Sequence, residues 1–374
     1  MEILGYQRPD GQLGIRNKVS IIFSTDCSRY VANKLYQLYP VGTQIFGYPG
    51  GCALRQGPFN KLVALGTHSS SAAALIIGLG CEGTDAYMLA DEIAKSGRPV
   101  QALKINEAGG DLKTLEQGSR LLVDLLQYAS QVERVTMTPA DLIVGQECGG
   151  SDATSGLASN PITGVAADLL IEAGGTYMHS EVSELIGCAD ILAERAVNQQ
   201  VAQEIREVIE AAEQRSFASG RFSWGYGNIL GGLTSIEEKS YGCLAKSGTK
   251  PLQGVLKSYG LPPGKGYYVQ VGEPGSGFFH GDPEGINQFA ACGAHIGLFT
   301  TGCGSTTGGL IPVLKVIANP NRMQLIADNA DLDATPVIRG EATIRELGET
   351  LYAEILAVAA GKLTKSEIHG HFEV

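Results

Sequence analysis

The sequence predicts an α/β protein of two domains, each a mainly parallel sheet flanked by helices, with glycine-rich loops at the carboxyl ends of the strands. Three observations lead there. At 374 residues the chain exceeds the ~250–300 residues over which one hydrophobic core keeps growing, so two cores are expected. Short apolar runs alternate with stretches of helical period, the pattern of βαβ units. The 50 glycines are roughly twice the usual share, and several gather where apolar runs end, as tight turns or close approach to a ligand require.

Lys18 to Phe23 reads as the first strand and Tyr30 to Tyr39 as a helix, followed by a Gly/Pro-rich loop at 47–57. Ala72 to Leu79 is continuously apolar and ends in Gly80-Cys81-Glu82-Gly83, the mark of a buried strand feeding a loop. Thr84 to Ser96 has helical spacing, Val100 to Ile105 reads as another strand, and Leu112 to Gln131 as a long amphipathic helix. These elements make residues 1–135 the first domain. The pattern breaks over 132–140, where Pro139 stands, and the second domain covers 140–374. It opens with a strand at Leu142 to Gly145 and a loop from Gln146 to Pro161. Helices follow at Ala166 to Ala173 and Ala193 to Gln214, with glycine-rich loops at 225–232, 272–285 and 302–309.

Composition narrows the function. A net charge of −11 without any basic run excludes nucleic acid as a partner, because phosphate binding needs clustered Lys and Arg. No stretch reaches the ~18 apolar residues of a membrane span, and Met1-Glu2-Ile3-Leu4 lacks the regions of a signal peptide, so a cytoplasmic protein is expected. The eight cysteines are scattered without C-x-x-C spacing and read as buried thiols with a few metal ligands.

Two strand ends carry side chains suited to a metal. Cys81 and Glu82 close the most apolar strand, and Cys148 with Asp152 lie in Gln146-Glu147-Cys148-Gly149-Gly150-Ser151-Asp152, directly after another strand. Ser151 and Ser155 add hydroxyls, unless Ser and Asp here merely cap a helix. Phe299-Thr300-Thr301-Gly302-Cys303-Gly304-Ser305 repeats the arrangement, with Thr300, Thr301 and Ser305 as substrate contacts. Lys239 and Lys246, near Glu238, are candidate bases, because a desolvated lysine can be tuned toward neutral pH. The plain alternative for Glu238 and Lys239 is a solvated ion pair. His68, just ahead of the apolar strand, is a further candidate base. Arg16 and Asn17 could anchor a substrate carboxylate, although an arginine beside a β-turn is also simply a surface residue.

In order, several separated blocks resemble the altronate/galactarate dehydratase family, which includes the large subunit of sulfolactate sulfo-lyase. The blocks are Gly5-Tyr6-x-Arg8-x-Asp10-Gly11 with Gly14-x-Arg16-Asn17, Leu79-Gly80-Cys81-Glu82, and Cys148-Gly149-Gly150-Ser151-Asp152 with Ser155-Gly156 and Asn160-Pro161. Glu181 and Glu184, Gly231-Gly232-Leu233-Thr234 with Glu238-Lys239-Ser240, and Phe299-Thr300-Thr301-Gly302 complete them. Two departures bear on the substrate: Cys303 stands where the family usually has Arg, and the region of Gly50-Gly51-Cys52 lacks a His-containing stretch.

The resemblance implies a divalent metal, Fe(II) or Mn(II), and a small β-rich domain supplied as a separate subunit of an oligomer. Its implied reaction is dehydration of an altronate- or galactarate-type acid to a 2-keto-3-deoxy acid, with loss of sulfite from 3-sulfolactate as the alternative. A non-catalytic sugar-acid-binding paralogue is the reading outside enzymology. An iron–sulfur cluster on Cys52, Cys81, Cys148 and Cys303 is a further possibility that their spacing does not favour.

Overall fold

The computed structural model describes residues 2–220, 222–257, 259–271 and 281–371. Two compact units emerge, one over Glu2–Met137 and a second from Thr138 on. Both are α/β, with parallel sheets flanked by helices.

The N-terminal unit contains β1 (Ile3–Gln7), β2 (Leu13–Gly14), β3 (Lys18–Phe23), β4 (Thr43–Gly47), β5 (Ser71–Gly78), β6 (Val100–Lys104) and β7 (Arg134–Met137). Strands β4-β3-β5-β6 form a parallel sheet. Every residue of β5 is buried, which is why it reads as an unbroken apolar run. The remaining strands pair antiparallel as β2-β1-β7. This small sheet corrects the reading of 132–140 as a mere break: four residues are too short a run to register as periodicity, and their partners lie at the other end of the unit. Arg8 ties the sheet down. Its guanidinium, 3% exposed, donates to the carbonyls of Ser69 and Arg16 and to Asn17 Oδ1 at 2.7–2.8 Å.

The C-terminal unit contains β8 (Ile143–Gly149), β9 (Thr176–His179), β10 (Leu252–Leu256), β11 (Gly266–Gln270), β12 (Ile296–Thr301), β13 (Val313–Ile317) and β14 (Leu332–Asp333). They form one parallel sheet in the order β10-β11-β9-β8-β12-β13-β14. Successive strands leave β8 in both directions, so the order reverses there, and open α/β sheets bind ligands outside the carboxyl ends at such a point.

The stretch read as a loop from Gln146 to Pro161 is different. Strand β8 runs on to Gly149, a π-helical turn follows at Ser155–Ser159, and a helix begins at Asn160. Gln146 and Glu147 looked like loop residues because they are polar, but both are buried. The surface helix is Gln199–Ser219, opened by Asn198 capping the N–H of Val201. Of the loop at 272–285, residues 272–280 lie outside the described residues. Among the described residues no helix is long and apolar enough to cross a membrane.

Candidate active site

At the carboxyl end of the second sheet, β8 and β9 run side by side with Gln146 opposite His179, so two residues further on Cys148 meets Glu181. The Cys148 N–H donates to Glu181 Oε2 at 3.1 Å, and its thiol lies 3.1 Å from Glu181 Oε1 and 3.3 Å from Glu184 Oε2. Glu181 is the non-glycine residue with positive φ among the described residues, at 66°. A side chain rarely adopts that conformation and pays for it in strain, which concentrates at working sites. The turn it makes brings Glu184 round to the same thiol.

Lysines come from a different direction. On the helix Ile236–Leu244 and the turn after it, Lys239, Cys243 and Lys246 follow at helical spacing and face inward. Lys239 Nζ lies 2.6 Å from Glu184 Oε1, and Lys246 Nζ 2.6 Å from Glu181 Oε2. Ser223 supports the first pair, donating to Glu184 at 2.7 Å and accepting from Lys239 through its carbonyl. Behind them His179 Nε2 lies 3.4 Å from the Cys243 thiol.

Burial and charge set the protonation states. Burial raises the Cys148 thiol well above its ordinary value, and the carboxylates of Glu181 and Glu184 push the same way. Burial and the charge of Glu181 also raise Glu147, which accepts from Ser180 Oγ at 2.6 Å. His179 is pushed down by burial and by Lys246, so it is neutral. Burial works against charge on Lys239, but Glu184 outweighs it and the ammonium is held up; Lys246 is likewise raised against burial. Lys239 and Lys246, expected as bases, thus each face a carboxylate that favours the ammonium form.

Glycine lets the walls close. A Cβ on Gly149 would stand 2.4 Å from Asp282 Oδ2, and one on Gly285 would stand 2.1 Å from Glu147 Oε2. Asp282, whose carboxyl burial raises, thus lies over the end of β8. The resulting cavity of about 340 Å³ is walled by Cys148, Glu181, Glu184, Ser223, Lys239 and Asp282, among others. A second cavity, about 240 Å³, is walled by Ser151, Ser155, Asn160, Glu238, Lys239 and Tyr241, among others.

Among the described residues two sets of side chains could hold a metal, Cys148 with Glu181 and Glu184, and His179 with Glu181 and Cys243, the ligand atoms of each lying within 4.8 Å of one another. Thiolate, carboxylate and imidazole are donors that a borderline first-row divalent ion accepts. Of the four metal ligands expected from sequence, Cys148 is in such a set, while Cys81, Glu82 and Asp152 are in neither. Cys81 and Glu82 belong to the N-terminal unit, where Glu82 accepts from Ser24 Oγ and from the N–H groups of Leu79, Gly80 and Cys81. Asp152 organises its own loop, accepting from Thr154, from Ser155 and, at 2.6 Å, from Asn319. The four cysteines considered for a cluster are not gathered in either set.

The other candidates divide similarly. Ser151 Oγ reaches the Cys148 thiol at 3.3 Å, whereas Ser155 is bonded to Asp152. Thr300 accepts from Gln146, Thr301 accepts from the Gly304 N–H, and Ser305 bonds Thr307, so these three build their loop. Glu238 is exposed and caps its helix by accepting from Thr234. In the N-terminal unit, His68 Nδ1 pairs with Ser70, Asn17 bridges Arg8 and the Ala129 carbonyl, and Arg16 Nη1 donates to the Ile15 carbonyl. Sequence reasoning did not assign Glu147, His179, Glu181, Glu184, Cys243 or Asp282 to the site. For Glu181 and Glu184 the available signal was Ser180-Glu181-x-Ser183-Glu184 just after a short apolar strand.

Comparison with known proteins bears on what this cluster does. The model of the D-galactarate/altronate dehydratase C-terminal domain matches residues 139–374, and that of the D-galactarate dehydratase/altronate hydrolase second domain matches 5–130. The chain belongs to this family. It is 33% identical over 382 residues to the (2R)-sulfolactate sulfo-lyase subunit beta of Chromohalobacter salexigens, covering 99% of this chain and 95% of that one. To the altronate dehydratase of Bacillus subtilis it is 28% identical over 97% of itself and 75% of the relative. To the galactarate dehydratase (L-threo-forming) of Escherichia coli it is 34% identical, over 77% and 56%. With dehydratases and a sulfo-lyase subunit as its relatives, the protein is a lyase.

Proposed function

We propose that the protein dehydrates a sugar acid of the altronate/galactarate type to a 2-keto-3-deoxy acid, with the cluster around Cys148 as its reaction centre. The observation that carries this is the meeting of Cys148, Glu181 and Glu184 with Lys239 in one cavity at the point where the strand order reverses. A divalent ion would be held by Cys148, Glu181 and Glu184 and would supply Lewis-acid stabilisation of negative charge on the substrate.

In this reading Lys239 donates to the oxygens on which charge develops when the proton α to the carboxylate is lost. Asp282, half-buried and placed over Gly149, takes that proton, partial burial raising its carboxyl above the ordinary value. The electron pair of the broken C–H bond becomes the C2–C3 double bond, the substituent on C3 departs with its bonding pair, and the enol tautomerises to the keto acid. His68, in the N-terminal unit and bonded to Ser70, has no part in this step.

A second reading, expulsion of sulfite from 3-sulfolactate, is supported by the near full-length match to the sulfo-lyase subunit beta. The same match supports a separately encoded small partner in an oligomer. Both are tested together: the chain, with and without a small β-rich subunit and with Fe(II) or Mn(II), is assayed against altronate, galactarate and 3-sulfolactate for keto acid and sulfite. Keto acid from a sugar acid is expected, and it should vanish with a chelator. Sulfite release without activity on sugar acids would select the second reading, and turnover indifferent to chelation would remove the metal.

A further inference from the structure

We infer that the N-terminal unit holds a separate site for a small oxyanion, a carboxylate or a phosphate, at the Arg8 guanidinium. The site goes beyond the lyase reaction and does not depend on it. A cavity of about 440 Å³ in this unit is walled by Gln7, Arg8, Tyr128 and Gln131, with apolar residues between them. Among the described residues that wall it none is acidic, and Arg8 brings the charge. The volume is on the scale of a small-molecule site.

That charge has no counter-charge of its own. The buried guanidinium bonds the Ser69 and Arg16 carbonyls and Asn17 Oδ1, all of them neutral, and lies over the Tyr6 ring at 5.7 Å. Asp10, the carboxylate whose field reaches Arg8, is taken by Arg98 at 2.6 Å, so two buried guanidinium groups share one carboxylate. Burial and the charge of Arg98 pull Arg8 down to about 10, the response of a cation whose surroundings offer it too little negative charge. Buried charges are ordinarily paired. The end of the helix Asp111–Ser130 does not make up the difference, because its carbonyls at Tyr128 and Ala129 already accept from the N–H groups of Gln131 and Val132 and from Asn17. On each terminal nitrogen of Arg8 one N–H remains unspent, the pair that can grip an oxyanion through two parallel bonds. The amides of Gln7 and Gln131 and the Tyr128 hydroxyl add neutral donors along the walls.

The test supplies the missing charge in two ways. The full chain is titrated by calorimetry with sodium phosphate and, separately, with sodium succinate, at constant ionic strength in chloride. Saturable binding of at least one is expected, and which of them binds identifies the source of the oxyanion. Gln131→Glu places a carboxylate on the cavity wall and should weaken that binding about tenfold or more, because the ligand then meets a like charge. Gln7→Glu should do the same from strand β1. Both side chains are exposed, so the variants should melt as the wild type does, and if one does not fold the other decides. Neither substitution touches the Cys148 cavity, so the loss of affinity separates this site from an anion bound there. No saturation by either salt, or an affinity that survives both substitutions, would overturn the site.

Discussion

Two strand ends in this molecule carry nearly the same letters and come to different ends. After β5 the chain reads Gly80-Cys81-Glu82-Gly83, and at the end of β8 it reads Glu147-Cys148-Gly149-Gly150. Both follow a deeply buried strand of a parallel sheet. At the first, Glu82 is satisfied by Ser24 and by three N–H groups of its own loop, and Cys81 is exposed. At the second, the thiol is buried and meets two carboxylates from the turn after the neighbouring strand, each paired with a lysine from a distant helix or the turn that follows it. Position at a strand end is thus not sufficient. What separates a loop that holds itself together from a reaction centre is whether its polar groups are satisfied locally or by charges brought from elsewhere.

The largest expected effect is on turnover at the second strand end. Cys148→Ala or Asp282→Asn should lower kcat by about 10³-fold, the scale on which losing a preorganised group or a general base is felt. Cys148→Ala should also lower bound metal by elemental analysis. Near-normal turnover of both variants would place the chemistry elsewhere.

Asp152 separates chemistry from architecture within that same unit. It was a candidate ligand from sequence, yet its carboxylate holds Thr154, Ser155 and Asn319 and is 2% exposed. Asp152→Ala leaves the Asn319 amide and the Ser155 N–H without acceptors, a loss of about 2–4 kcal/mol. The melting temperature should fall by about 5–12 °C. An unchanged melt with lost turnover would return Asp152 to the reaction.

How much could be read from sequence follows the same division. Strand β5 was legible to within a residue because all eight of its residues are buried and, after Ser71, it carries no polar side chain. Strand β8 was cut four residues short because Gln146 and Glu147 are polar residues inside a sheet, buried only because Ser180 and Thr300 stand ready to bond them. Cys148, Lys239 and Lys246 were singled out, but the reason for the lysines was incomplete. Lys239 was set against its sequence neighbour Glu238, whereas its partner is Glu184, and no local pattern announces a pairing between a helix and a turn from another strand. The motif with Arg8 and Asp10 illustrates the reverse. It stands beside Arg16 and Asn17, which were read as a substrate anchor, and the structure uses it to fasten the small antiparallel sheet, with Asn17 accepting from Arg8 and Arg98 on Asp10 at 2.6 Å.

Glu82 gives a smaller, pH-dependent effect at the first strand end. Burial opposes its ionisation, but the hydrogen bonds from Ser24 and the loop N–H groups outweigh burial and hold its carboxyl below the ordinary value. A carboxyl depressed in the folded state stabilises the protein above its unfolded pKa of about 4.3, and that stability is lost as pH falls through the folded value. Glu82→Gln should therefore cost about 1–3 kcal/mol at neutral pH, because an amide NH₂ would face N–H donors. The gap in melting temperature from wild type should narrow once pH drops below about 4.3. A gap that widens in acid would mean that the carboxyl is protonated in the fold.

Cys81 should show the smallest effect, and it tests the comparison most directly because it is the counterpart of Cys148 by position. It is exposed, and among the described residues its backbone N–H is engaged by Glu82. Cys81→Ser removes no buried surface and keeps that N–H, so stability should change by less than about 0.5 kcal/mol. Metal content and turnover should match the wild type. The two thiols should also part in reactivity: a brief treatment of the folded protein with iodoacetamide, read by peptide mass spectrometry, should label Cys81, while Cys148, buried and with its thiol held protonated by burial and two carboxylates, should be labelled only after unfolding. Labelling of Cys148 as fast as Cys81 would mean that its pocket opens freely to water, and the contrast between a satisfied loop and an enclosed charge cluster would not hold.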